Sequence, residues 1–182
     1  MKRLLCVILL ASINSFAFYF DVGFGFGGAS TEIDNRDFGD ACGSSCDELA
    51  VNLGIRIGGA VSNNFWIAGE LSGLGNRYYD SDNYLQFNSY MIGPSFIYYP
   101  VDHFHLSGSI GFSWTSNVTD IPGFYAYDGT GASLSLTAAY DTGIENGALI
   151  GAKIYASSVT LDESNADETT VGFVIFVGYV HK

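Results

Sequence analysis

LAVNLGIRIGGAVSNNFWIAGELSGL, residues Leu49–Leu74, is the stretch that decides the fold. Read by parity, Leu49, Val51, Leu53, Ile55, Ile57, Gly59 and Val61 share one face, and Ala50, Asn52, Gly54, Arg56, Gly58, Ala60 and Ser62 the other. After Asn63-Asn64 the alternation restarts, with Phe65, Ile67, Gly69 and Leu71 against Trp66, Ala68, Glu70 and Ser72. Period-two alternation on both sides of a short Asn-rich turn predicts a β-hairpin. The apolar faces coincide only if paired residues have an even index sum, because a slip of one residue turns a strand over. A three-residue turn, Ser62-Asn63-Asn64, meets that condition and sets Val61 opposite Phe65 and Arg56 directly opposite Glu70.

The same alternation recurs along the chain. Eight segments carry it: Phe18–Ala29, Leu49–Ser62, Phe65–Tyr78, Tyr84–Tyr99, Phe104–Asn117, Gly131–Asp141, Ala148–Thr160 and Thr169–Val180. Each is long enough for the roughly 9–11 residues of a tilted membrane strand. The connections alternate: Ser30–Glu48 and Val118–Thr130 are long, Tyr79–Asn83 and Leu161–Glu168 moderate, and Asn63-Asn64, Pro100–His103 and Thr142–Gly147 short. In an up-and-down barrel this puts the long connections at one end and the short turns at the other, the asymmetry of outer-membrane barrels. On that reading the long loops are extracellular and both termini periplasmic.

Charge follows the same division. The 182 residues carry 19 acidic and 7 basic side chains, a net charge of −12. Glu32, Asp34, Asp37, Asp40, Asp47, Glu48, Asp80, Asp82, Asp120, Asp128, Asp162, Glu163, Asp167 and Glu168 fall in or beside the long-connection end, offset there by Arg36 and Arg77. This balance excludes nucleic acid as a partner, since phosphate recognition needs clustered Lys and Arg. Export is read from the start of the chain: Lys2 and Arg3, apolar Leu4–Ile13 and the small-x-small Ser15-Phe16-Ala17 form a secretory signal peptide over residues 1–17, followed by one barrel domain over 18–182. Cys42 and Cys46, the cysteines beyond that segment, are expected to form a local disulfide pinning a loop.

Which face points outward is decided by the mixed-polarity face, whose only charges are Asp21, Arg56, Glu70, Lys153 and, at a strand end, Asp141. A soluble barrel needs many more on its wet surface. The other face is continuously apolar, as in Phe20, Val22, Phe24 and Phe26 or Val171, Phe173, Ile175, Val177 and Tyr179. Facing lipid, it explains why the few strand charges are expected all to share the other parity: Lys or Arg at the midplane costs about 2–4 kcal/mol. Aromatic residues near the strand ends, Phe65, Tyr98, Tyr99 and Phe104 on the short-turn side and Tyr78, Tyr79, Tyr84 and Trp114 on the other, are expected to form the two interfacial girdles. The fold class expected is all-β: an eight-stranded antiparallel up-and-down transmembrane barrel.

By these features the chain resembles the small eight-stranded outer-membrane barrels of the OmpA transmembrane-domain, OmpX/Ail and opacity-protein kind. The local match is Tyr90-Met91-Ile92-Gly93-Pro94-Ser95-Phe96 followed by Gly108-Ser109-Ile110-Gly111-Phe112, with Ile97 where the family often has Arg. Thr170-Val171-Gly172-Phe173-Val174-Ile175-Phe176-Val177 is similar to the signal read by the barrel assembly machinery, although Tyr179-Val180-His181-Lys182 stands in place of a terminal aromatic residue. The resemblance implies fold and location, and a family that includes adhesins and structural anchors.

An eight-stranded barrel is just wide enough for side chains to fill it. The lumen is expected to hold Arg56, Glu70, Asp21 and Lys153 as a salt-bridge network, with Trp66 and Tyr155. Such a network is either a plug or, with exchanging partners, a narrow gated pore. The plugged reading makes the chain a monomeric structural or surface-interaction protein, in contact with outer-membrane lipids and displaying its acidic loops to an extracellular surface or matrix partner. No enzyme and no cofactor is expected. His105-Leu106-Ser107 is similar to the His-x-Ser of lipid A deacylases, but its parity is luminal, near the short turns, and no acid accompanies it, so His103 and His105 are read as turn and strand-end residues. The acidic loops offer oxygen ligands for Ca²⁺ or Mg²⁺ without the spacing of an EF-hand.

Overall fold

The computed structural model describes residues 17–38, 47–79, 84–120, 127–162 and 164–182. Eight long strands form the barrel: β1 (Phe18–Ile33), β2 (Asp47–Ser62), β3 (Phe65–Tyr79), β4 (Tyr84–Val101), β5 (Phe104–Thr119), β6 (Asp128–Asp141), β7 (Asn146–Leu161) and β8 (Asp167–His181). Each pairs antiparallel with its sequence neighbour, and β1 pairs with β8, closing the sheet. Closure removes every edge along the paired span, which is what a sheet surrounded by hydrocarbon requires.

The expected parity holds in every strand. Outward residues are apolar and exposed, such as Phe26 at 59%, Leu53 at 60% and Ile110 at 57%. Contrary to expectation, not every strand charge shares the inward parity: Glu32, Asp47, Arg77, Asp128 and Asp167 fall on the outward one, all in the rungs nearest the long connections, away from the midplane where the cost is highest. The belt below them is charge-free. Two of the aromatic residues assigned to the girdles do not belong there: Tyr78 and Tyr99 are buried in the lumen. Each is adjacent in sequence to a residue that does point outward, Tyr79 and Tyr98, so composition near a strand end was right and parity overrules it.

The β2–β3 hairpin keeps the expected register, with Arg56 opposite Glu70, but not the expected turn. Ser62 pairs with Phe65 across Asn63-Asn64, and the register shifts between Ala60 and Ser62. Val61 is therefore the extra residue of a bulge beside a two-residue turn. A bulge adds the one residue that a three-residue turn would have added, so both satisfy the parity. The β4–β5 turn repeats the device between Tyr98 and Val101. The long connections are shorter than read, because β1 continues to Ile33, β2 begins at Asp47, β5 continues to Thr119 and β6 begins at Asp128. Past Ile33 the chain turns through Asp34 and Asn35, both at positive φ (50° and 62°), and a two-residue strand, Arg36–Asp37, folds back onto β1. Positive φ at both central residues is what a tight type I′ hairpin needs.

One seam is unlike the others. The β1–β2 ladder stops at Gly27 opposite Ala50, whereas β1 stays paired with β8 up to Ile33 and β2 with β3 up to Asp47. Side chains replace the missing ladder. The Ala29 amide donates to Glu48 Oε1 at 2.8 Å, the Thr31 amide to the Tyr78 hydroxyl at 3.3 Å, and Asn76 Nδ2 donates to the Ala29 carbonyl at 3.0 Å. Backbone polar groups at such a seam need partners of this kind. Glu48→Ala is expected to speed hydrogen exchange of the Ala29 amide about tenfold, with the lower ladder unchanged. An unchanged rate would show that Glu48 does not hold that amide.

Candidate functional site

The lumen is built in layers by inward positions of all eight strands. Nearest the short turns lie Tyr19, Trp66, Ile97, Tyr99, Leu149, Phe176 and Val180. Above the charged layer come Ala29, Ala50, Leu74, Met91, Tyr155 and Val174, and then Tyr78, Leu85 and Phe87. Between the two lower apolar layers sits the charged group.

Glu70 is its centre and is 1% exposed. Its Oε2 accepts from Arg56 Nε at 2.9 Å, its Oε1 from Lys153 Nζ at 2.7 Å, and Ser109 and Ser135 donate to it as well. The Arg56 guanidinium also donates from Nη1 to Asp21 Oδ2 at 3.2 Å and from Nη2 to Thr137 Oγ1 at 3.0 Å. Tyr19 donates to the same Asp21 carboxylate. Two cations thus balance two carboxylates, and each of the four side chains makes at least one charge-assisted hydrogen bond. That is the condition under which charges can be buried at all. Gly54 borders the group: a Cβ there would lie 3.4 Å from Lys153 Nζ, an ordinary contact.

The network reaches the short-turn end through His105. The Tyr99 hydroxyl donates to Asp141 Oδ2 at 2.9 Å, so towards His105 Nδ1, 3.2 Å away, it is the acceptor. Nδ1 then carries the proton, and Nε2 accepts from Arg56 Nη1 at 3.3 Å. Asp141 is paired in turn with Lys182 Nζ at 2.8 Å, and that ammonium lies 4.1 Å from the centre of the Tyr99 ring. At the other end Glu168 also turns inward, contrary to its expected place among the exposed rim acids, and accepts from Thr115 Oγ1 at 2.7 Å. Just outside the strands, burial and the neighbouring Glu168 carboxylate hold the Tyr127 phenol well above the usual tyrosine range.

The structure brings Arg56, Glu70, Asp21 and Lys153 together, and places Trp66 and Tyr155 in the apolar layers on either side. His105 is not the strand-end residue that was expected; it is fully buried and both its ring nitrogens are engaged. Its place, with those of Tyr19, Tyr99, Ser109, Ser135 and Thr137, was signalled only by luminal parity. Ser107 Oγ makes no hydrogen bond to it among the described residues. The expected Cys42–Cys46 disulfide and the signal peptide, but for Ala17, lie outside the described residues. Beside the quartet a cavity of about 20 Å³ remains, room for about one water molecule. Chemically the quartet is a buried, charge-neutral group of one guanidinium, one ammonium and two carboxylates.

No family profile and no curated protein matches the sequence. Solved structures do. Ail, the attachment invasion locus protein of Yersinia pestis, superposes with a TM-score of 0.61 at 12% identity in one crystal structure, and 0.60 at 14% in another. In both, the match covers 90% of this chain and 99% of Ail. Neisserial surface protein A matches with a TM-score of 0.53 at 15% identity, over 91% of this chain and 96% of that one. Identities this low speak for the fold alone, and both the strand count and the closed antiparallel order agree: the chain has the fold of the small eight-stranded outer-membrane β-barrels.

Proposed function

We propose that the protein is a surface-interaction anchor of the bacterial outer membrane, with its long connections extracellular and its lumen closed to solutes. The observation that carries this reading is the charged layer sealed between two apolar ones, with about 20 Å³ left beside it. A plugged barrel leaves the rim as the part of the molecule that meets other molecules. That rim is acidic: Glu32, Asp34, Asp47, Asp120, Asp128, Asp162 and Asp167 against Arg36 and Arg77. Ail has been crystallised with the heparin analogue sucrose octasulfate. A rim of this charge repels such a polyanion, so the partner suited to this chain is a basic protein surface or one bridged through divalent cations. The same reading makes the protein no enzyme: the histidine of the His105-Leu106-Ser107 stretch already has both nitrogens engaged, with Arg56 and Tyr99.

The test is electrical and then adhesive. Purified protein in planar bilayers is expected to give no unitary conductance at 100 mV, an ordinary membrane voltage. Whole cells displaying it are expected to bind a basic protein surface and lose that binding in high salt, as screening predicts. Steady single-channel steps would replace the plug with a narrow channel, and salt-independent binding would move recognition away from the charged rim.

A further inference from the structure

Among the five charged residues on the outward parity, Arg77 is the cation, and it has no ion pair or hydrogen bond among the described residues. Its guanidinium lies over the Tyr84 ring at 4.1 Å. Opposite it on β4 stands Gln86, and one outward position below, opposite Gly75, stands Asn88. Gln86 Nε2 donates to Asn88 Oδ1 at 2.6 Å, and the Asn88 amide nitrogen makes no hydrogen bond among the described residues. Polar donors on a wall that faces hydrocarbon are costly unless something satisfies them.

Immediately below them the wall is recessed. Gly73 and Gly75 leave a groove of about 620 Å³ that is bounded by Leu53, Leu71, Tyr90 and Trp114. The Tyr90 ring rests on Gly73, where an added Cβ would come within 3.0 Å of it, and stacks on Trp114 with ring centres 5.4 Å apart. A cation with amide donors above an apolar trench, at the height of the aromatic girdle, has the polarity profile of one amphiphile: anionic head, apolar tail.

We infer that this groove binds one phosphate-bearing lipid of the leaflet at the long-connection end, its phosphate on Arg77 and Asn88 and an acyl chain over Gly73 and Gly75. The inference goes beyond the anchor reading and does not depend on it, since it concerns the lipid-facing wall and not the rim. Charge complementarity selects the head: with acids all round the rim, Arg77 is the outward strand group that attracts an anion. Location selects the tail, because the trench opens into hydrocarbon.

Trp114 supplies the readout. The second tryptophan, Trp66, is enclosed in the lumen at 7% exposure and lies beyond the reach of lipid chains. Folded protein is reconstituted in phosphatidylcholine vesicles that contain a small fraction of phosphatidylglycerol with brominated chains or, in parallel, brominated phosphatidylcholine. Quenching of Trp114 is expected to report about fivefold stronger association of the anionic lipid, the size of one interfacial arginine interaction. Arg77→Gln, at an exposed position whose side-chain contact among the described residues is the Tyr84 ring, is expected to fold normally and bring the ratio to about one. Gly75→Leu, which fills the trench, is expected to lower quenching by both lipids. The preference is expected to survive EDTA. Equal quenching by the two lipids in the wild type, a preference kept by Arg77→Gln, or one abolished by EDTA and so owed to cation-bridged acids, would each overturn the assignment. So would quenching lost as the protein-to-lipid ratio rises, which would give the groove to a second copy of the chain.

Discussion

Glu70→Ala is expected to destabilise the folded barrel by about 3–5 kcal/mol, the cost of stranding a buried charge. The carboxylate it removes pairs with both Arg56 and Lys153, at 2.9 and 2.7 Å, and accepts from Ser109 and Ser135. After the substitution two cations face Asp21 alone, between apolar layers that water enters only by disrupting them. Urea titration of the protein folded into liposomes measures the loss. A double replacement separates charge from packing. Arg56→Leu with Glu70→Leu removes one charge of each sign and leaves Lys153 with Asp21. It is expected to cost less than the sum of the single replacements, with a coupling of about 2 kcal/mol. Additive single effects would mean that the two side chains contribute as separate space-fillers and that the ion pair is incidental. An alanine variant within about 1 kcal/mol of the wild type would mean that the lumen hydrates readily, and the plug would then be a filled channel.

How this network was partly visible in the sequence follows from what parity can and cannot say. Alternation assigns a side chain to a face, and a short hairpin adds its partner on the next strand; Arg56 and Glu70 satisfy both conditions, and the register sets them opposite each other. Asp21 and Lys153 were assigned to the same lumen, but their heights depend on closure. Asp21 reaches Arg56 through the β1–β2 register, set across the connection that spans residues 34–46, and Lys153 reaches Glu70 from β7. His105 had the right parity and was misjudged because it is the second residue of its strand; Tyr99 and Asp141 extend the interior down to it. The Asp34-Asn35 turn was hidden because neither residue is glycine, although both types tolerate the left-handed region. The bulge at Val61 was indistinguishable from a longer turn, since both shift the count by one.

Gly93→Val is expected to prevent the barrel from closing. A Cβ at Gly93 would lie 2.0 Å from the Ile110 carbonyl oxygen and 2.5 Å from the Gly111 Cα, and one at Gly111 would lie 2.4 Å from the Ile92 carbonyl oxygen. Both strands meet here backbone to backbone, between the rungs Ile92–Phe112 and Ser95–Ser109. Pro94, which follows, has no N–H to give to a ladder, and the paired rungs skip Gly93 and Pro94. On its other side Gly93 faces Glu70 across β3–β4, flanked by Ser95, whose hydroxyl lies 2.8 Å from that of Ser109. Ser109 gives its one proton to Glu70, so Ser95 is the donor towards it. The Gly-Pro step and the Gly-x-x-Gly strand that first suggested a family resemblance are therefore the wall behind the buried carboxylate. Overpacking usually costs about 1–3 kcal/mol where side chains can yield; here the obstacle is backbone on both strands, and the loss should exceed that range. The folded wild type is expected to resist SDS and shift in mobility only after boiling, and Gly93→Val to run unfolded in both lanes. Ser95→Ala, which removes one hydroxyl and opens no strand, is expected to keep the shift and lose about 1 kcal/mol. A valine variant that keeps both the shift and the urea midpoint would mean that β4 and β5 can part at this rung, and that their close approach is not what seats Glu70.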